Sequence, residues 1–375
     1  MSETVGRQRD LRLDIIRISA LFCVIAVHFF LNSGFMGETV SGVRMYLMTA
    51  ARSLFAVCVH LFLMLTGYLM NQKQLSKKYF LGIFKVLLTY FICSAVYSVF
   101  TKVFLHQDVT VKSFIRSVIG FTGTKYAWYI ELYVGLYLLI PFLNLIFNNL
   151  KTRRQTLALL IVLFFLTGVP SSFNVFSFDS LEMWTNPAGI TSYYKLFPSK
   201  WDTLWPLFCY FSGCYLKKYP FRINLGLHSL LLVLACAADG LFNFYKSYGR
   251  TFVNASWNYN SSAGCLVIAF LFFSLLLRIN PGVGGPKKNS FFKLLSDAVL
   301  GAYLLSCIFD IVYYKKLAEL VPTVRDRFIY APVIVLAVFL SSLALSVAVN
   351  LIRRLIAYGF SRLRSVFKRP PREAA

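Results

Sequence analysis

Charge is scarce in this sequence. Only 14% of its 375 residues are Asp, Glu, Lys or Arg, against 58% hydrophobic, and the mean hydropathy is +0.64. A soluble domain carries roughly 25% charged residues, so a water-exposed globule is excluded. Acids are scarcest, 15 against 39 Lys and Arg. Phosphate-binding glycine loops, dinucleotide fingerprints and zinc motifs are all missing, which removes the enzyme classes built on them. The eight cysteines fall inside apolar stretches, without metal-like spacing and away from loops. They read as small buried apolar residues rather than ligands or disulfides. A small-residue cleavage site is also lacking after the first apolar run, Leu13 to about Leu31, which therefore reads as a membrane span and not a signal peptide.

What is present is a series of apolar stretches of about 20 residues each, the length a helix needs to cross a bilayer. Only helices or closed barrels satisfy their backbone hydrogen bonds in lipid, and these stretches are too long for barrel strands. The expected fold is all-α, a polytopic bundle of about ten transmembrane helices beginning near Leu13, Ser53, Phe80, Trp128, Thr156, Trp201, Leu225, Ser262, Ser296 and Phe328. No loop leaves room for an appended domain, so residues 1–375 are expected to form a single transmembrane unit with a basic tail from about 357. Basic residues concentrate on alternate connections, such as Lys73, Lys77, Lys78, then Lys151, Arg153, Arg154, then Lys217, Lys218, Arg222. The positive-inside rule then places both termini in the cytoplasm of a multi-pass cell-membrane protein. The net charge of +24 is thereby explained by topology and by attraction of the tail to anionic membrane lipids, and nucleic acid is not an expected partner. All five tryptophans fall on the opposite side. An interfacial belt and a stacking surface for sugar rings both account for them.

Ionisable groups inside spans are expensive and point to function. The first span carries Asp14, Arg17 and, eleven residues on, His28. Eleven residues turn a helix through about 1100°, within roughly 20° of three full turns, so Arg17 and His28 share a face about 16 Å apart. Asp14, one turn before Arg17, can fix its guanidinium. A guanidinium can hold phosphates, and an imidazole can act as general base toward a hydroxyl. A snorkelling Arg and a packed His account for the same spacing.

The run Arg12-Leu-Asp14-Ile-Ile-Arg17 followed by Ala26-Val27-His28 resembles the opening of the acyltransferase 3 family, whose first helix carries an Arg, ten residues and a His. Further stretches are similar: Leu61–Leu69 around Thr66-Gly67-Tyr68, Lys77-Lys78-Tyr79-Phe80 with Lys85, and Trp128-Tyr129 with Gly135–Pro141. One pattern departs from the family. Gly301-Ala302-Tyr303-Leu304-Leu305 ends on Ser306 where a His is common, and His60, better suited to bridging helices, is the alternative to it. The resemblance implies an O-acyltransferase, with no bound cofactor or metal, that moves an acyl group, usually acetyl, from cytoplasmic acyl-CoA to a hydroxyl of a cell-surface or lipid-linked glycan. Arg17 and His28 are its matched pair. Arg17, Lys77, Lys78 and Lys85 gather at the cytoplasmic end and can hold CoA phosphates, although plain topology signalling explains the lysines equally. Glu131 can orient His28, bind the acceptor or cap its helix; Asp239 and Asp310 are weaker candidates. A glycolipid flippase is the competing class, and no internal repeat of the kind transporters show supports it.

Overall fold

Long apolar runs bounded by Gly, Pro and basic turns fold as membrane-length helices. The structure, a computed structural model, describes residues 9–179, 181–282 and 285–367, the stretch beyond 354 by its backbone alone. Fifteen helices follow in chain order: α1 (Leu11–Asn32), α2 (Gly42–Phe55), α3 (Cys58–Met70), α4 (Lys77–Leu81), α5 (Phe84–Phe104), α6 (Val111–Ile119), α7 (Trp128–Asn149) and α8 (Arg153–Phe173). They continue as α9 (Glu182–Thr185), α10 (Trp205–Lys218), α11 (Leu225–Ser247), α12 (Ala263–Leu276), α13 (Pro286–Leu320), α14 (Val324–Arg327) and α15 (Ala331–Phe367). Among the described residues there are no strands, only two isolated bridges that join Thr39 to Thr251 and Val40 to Tyr248. The basic tail expected from about 357 begins within α15 and then runs outside the described residues.

Among the described residues, nine segments are long and apolar enough to cross a membrane. The tenth expected span, near Trp201, is shorter. A 3₁₀ turn at Asp202–Leu204 runs directly into the 14-residue α10, together about 27 Å of helix. Most of α10 is buried among its neighbours, so protein rather than lipid surrounds it. The second span also differs from expectation. It starts at Gly42, not near Ser53, and is broken at Ala56–Val57 between α2 and α3. Arg44 and Arg52 dilute the hydropathy of its first half, which hid it in the sequence.

The close approach of α3 and α10 depends on two glycines. A Cβ on Gly67 of α3 would lie 1.9 Å from the Tyr210 carbonyl oxygen, and one on Gly213 of α10 would lie 1.9 Å from that of Met64. This is the small-residue contact that lets membrane helices pack backbone to backbone. Asn144 of α7 locks the same junction, donating to the Met70 and Lys73 carbonyls and accepting from the Tyr210 hydroxyl. The eight cysteines are unpaired and, except for half-buried Cys236, buried. Three tryptophans (Trp128, Trp184, Trp201) are exposed as a belt requires. Trp205 and Trp257 are buried instead, beside His60 and Lys246.

Candidate active site

The first helix sets the frame. Asp10 caps α1, its side chain accepting from the Arg12 amide. One turn in, Asp14 is buried and accepts two bonds from Arg9, at 2.6 and 2.8 Å, and one from Arg17 at 3.0 Å. Arg17 also donates to Ser296 on α13 at 3.2 Å. Helices α1 and α13 run in the same direction, so a second contact between them recurs higher up. There His28 and Asp310 meet, Nδ1 to Oδ2 at 3.5 Å, with 7% and 1% of each residue exposed. That separation is long for a hydrogen bond. Imidazole–carboxylate contacts of this length can tighten when a ligand binds beside them.

Tyr126, just ahead of α7, completes the cluster. Its ring stacks on His28 with centroids 3.7 Å apart, and its hydroxyl donates to Asp310 at 2.6 Å. Burial, and then the neighbouring carboxylate, hold that hydroxyl's pKa well above the usual tyrosine value, so it stays a donor. Asn32 donates to the same oxygen, and Lys125 reaches Asn32 from outside. Nδ1 is the ring nitrogen turned toward Asp310. A carboxylate behind an imidazole fixes its tautomer and stabilises the imidazolium formed when it takes a proton.

Between the two levels lies a cavity of about 360 Å³. Arg17 and Ser296 stand at one end; Tyr129 and Tyr303 are at the other, with apolar walls from α3, α5 and α7. Tyr303 also donates its hydroxyl to the Tyr126 carbonyl. It is therefore the partition between the cavity and the His28 cluster. Ser306, which stands where His is common in the resembled pattern, is buried and bonded to the Tyr303 carbonyl.

A family model described as an acyltransferase domain matches residues 10–351. The chain belongs to the acyltransferase 3 family. It is a membrane acyltransferase. No curated protein and no solved structure matches it.

In this acyltransferase the structure places Arg17 and Asp14 together and His28 on the same helix beyond the cavity, but it separates the remaining candidates. Lys77, Lys78 and Lys85 are exposed and do not line the cavity. Glu131 is exposed in a shallow groove with Trp128 and Leu204 and makes no contact with His28; Asp310 occupies the orienting place it was considered for. On α7 the neighbours Tyr129, Ile130 and Tyr133 face the cavity, which turns Glu131 away. His60 is fully buried and its Nε2 meets the Asn260 carbonyl at 2.7 Å, which ties α3 to the turn ahead of α12. Asp239 accepts from Ser53 and Asn243 and ties α2 to α11. Sequence reasoning missed Tyr126 and Tyr303. Tyr126 stands two residues before the Trp128-Tyr129 pair, and that proximity was the available signal.

Proposed function

We propose that this acyltransferase takes an acyl group, acetyl in the first instance, from acyl-CoA presented at the Arg17 end and passes it to a hydroxyl of a cell-surface or lipid-linked saccharide at the His28 end. The observation that carries this reading is the buried His28–Asp310 pair at the opposite level of the bundle from Arg17, with an apolar cavity between them. Positive-inside charge puts the Arg17 end in the cytoplasm, where acyl-CoA is made; the acceptor then meets His28 from the other side.

In the proposed reaction His28 Nε2 removes the acceptor hydroxyl's proton as the oxygen attacks the thioester carbonyl carbon. The new C–O bond forms, the C–S bond breaks, and the imidazolium returns its proton to the departing CoA thiolate. Asp310 stabilises that imidazolium, and Tyr126 holds Asp310. Arg17 meets donor phosphate or carbonyl oxygens at the mouth. The apolar walls exclude water, which would otherwise compete as acceptor. Lys77, Lys78 and Lys85, at the same end, raise the local concentration of an anionic donor without contacting the cavity.

Sealed vesicles of both orientations, given acyl-labelled acetyl-CoA, test this. Label is expected in base-labile ester only when the Arg17 face is outward, and His28→Ala is expected to lower incorporation about 10²-fold or more. Equal incorporation by His28→Ala at matched expression contradicts the assignment.

A further inference from the structure

A second hollow, of about 760 Å³, opens at the Arg17 end of the bundle and does not share a lining residue with the first cavity. Four separate stretches wall it: the start of α1 at Arg9–Arg12, α3 at Tyr68, the α10–α11 turn around Arg222, and the segment after α12 around Arg278. Four arginines face it against one carboxylate, Asp10. Two of the four are already neutralised, Arg12 by Asp10 at 2.7 Å and Arg9 by Asp14 at 2.6 Å. The other two, Arg222 and Arg278, are exposed and form no ion pair among the described residues. Arg278 gives one bond to the Ile223 carbonyl, which fixes its direction and leaves most of its donors open.

Apart from Ser274 and Asn280, the rest of the wall is flat or apolar. Tyr68 and Phe221 contribute rings, and Lys217 lies over the Tyr68 ring at 5.5 Å. Uncompensated guanidiniums bind phosphate oxygens in pairs. Aromatic faces accept a heterocyclic base by stacking. A hollow within the volume range of ligand sites that combines both suits a phosphorylated nucleotide. It also meets the first cavity: Asp14 is shared between Arg9 on the wall of the hollow and Arg17 on the wall of the cavity.

We infer that this hollow binds the 3′-phosphoadenosine diphosphate end of the acyl-CoA donor, with Arg222 and Arg278 on its phosphates and Tyr68 and Phe221 beside its base. The inference rests on the donor reading above. The thioester arm then passes the Arg9–Asp14–Arg17 chain into the cavity. Donor capture thus belongs to four segments distant in sequence, not to the lysines between α3 and α5.

Adenosine 3′,5′-bisphosphate, which carries no acyl group, is the probe. Binding is measured to the purified full chain in phosphatidylcholine nanodiscs. The wild type is expected to bind it, Arg222→Gln/Arg278→Gln to bind at least about tenfold more weakly, and Arg222→Lys/Arg278→Lys to recover part of the loss. Gel-filtration profiles and thermal midpoints matching the wild type establish that the variants are folded. Undiminished binding by the glutamine variant overturns the site while leaving acyl-CoA as donor. No nucleotide binding by the wild type, with arginine-dependent retention of phosphatidylglycerol instead, overturns it in favour of a lipid headgroup. Arginine-dependent nucleotide binding without acyl transfer from acyl-CoA supports the site and removes the donor reading.

Discussion

Asp310 is a carboxylate 1% exposed at the level of His28, with one oxygen bonded to Tyr126 and the other unpartnered among the described residues. An incompletely satisfied buried carboxylate costs stability, and proteins retain such groups chiefly at functional sites. Asp310→Asn is accordingly expected to lower kcat about 10²-fold with little change in KM for donor, because it removes the imidazolium's stabiliser and not a binding contact. Steady-state kinetics on protein of matched thermal stability checks this, and a proportional rise in KM alone would contradict a positioning role. Tyr126→Phe keeps the ring stacked on His28 and removes only the donated bond. Its expected loss is smaller, about tenfold, measured in the same assay. Arg17 and His28 were readable as a pair because helical geometry links residues eleven apart. Asp310 was not. It lies 282 positions from His28, and only the parallel packing of α13 on α1 brings the two together.

Helices α3 and α10 carry the strongest packing constraint. Gly67→Ala and Gly213→Ala each drive a methyl into a backbone carbonyl that cannot rotate away, so separation of the helices is the only relief. A loss of about 1–3 kcal/mol or more is expected for each, read as a lower thermal midpoint in detergent. Gly135 on α7 is the contrast, since nothing lies within 4 Å of its Cβ position. Gly135→Ala is expected to be neutral or to stabilise by up to about 1 kcal/mol, because alanine restricts the unfolded chain and favours helix. Span positions were legible wherever apolar runs were continuous. They were not legible where charged residues face protein instead of lipid. Arg52, buried with its guanidinium 4.8 Å over the Phe252 ring, lowered the hydropathy of α2 and concealed it. Lys246, buried between Tyr193 and Trp257, shows the same masking in α11, although there the apolar flanks sufficed.

Over the whole molecule, α1 links two differently charged ends. Basic groups crowd one end, where Arg9, Arg12 and Arg17 follow one another into the bundle; His28, Asp310 and Tyr126 occupy the other. Charge asymmetry between alternate connections made this polarity legible. Which basic residues would line a binding hollow was not, since that depends on how three connections meet in space. Reporter fusions in the connections at 219–224 and 106–110 are expected to map to the cytoplasm and the opposite side respectively. The reverse placement would put the donor end outside the cell. The most direct measurement on the central claim is the ester content of cell-surface glycan from cells carrying the wild-type chain, no chain, or His28→Ala at equal abundance. The expected result is a base-labile acyl group present with the wild type and absent from both others. Glycan from His28→Ala cells bearing wild-type ester would contradict it.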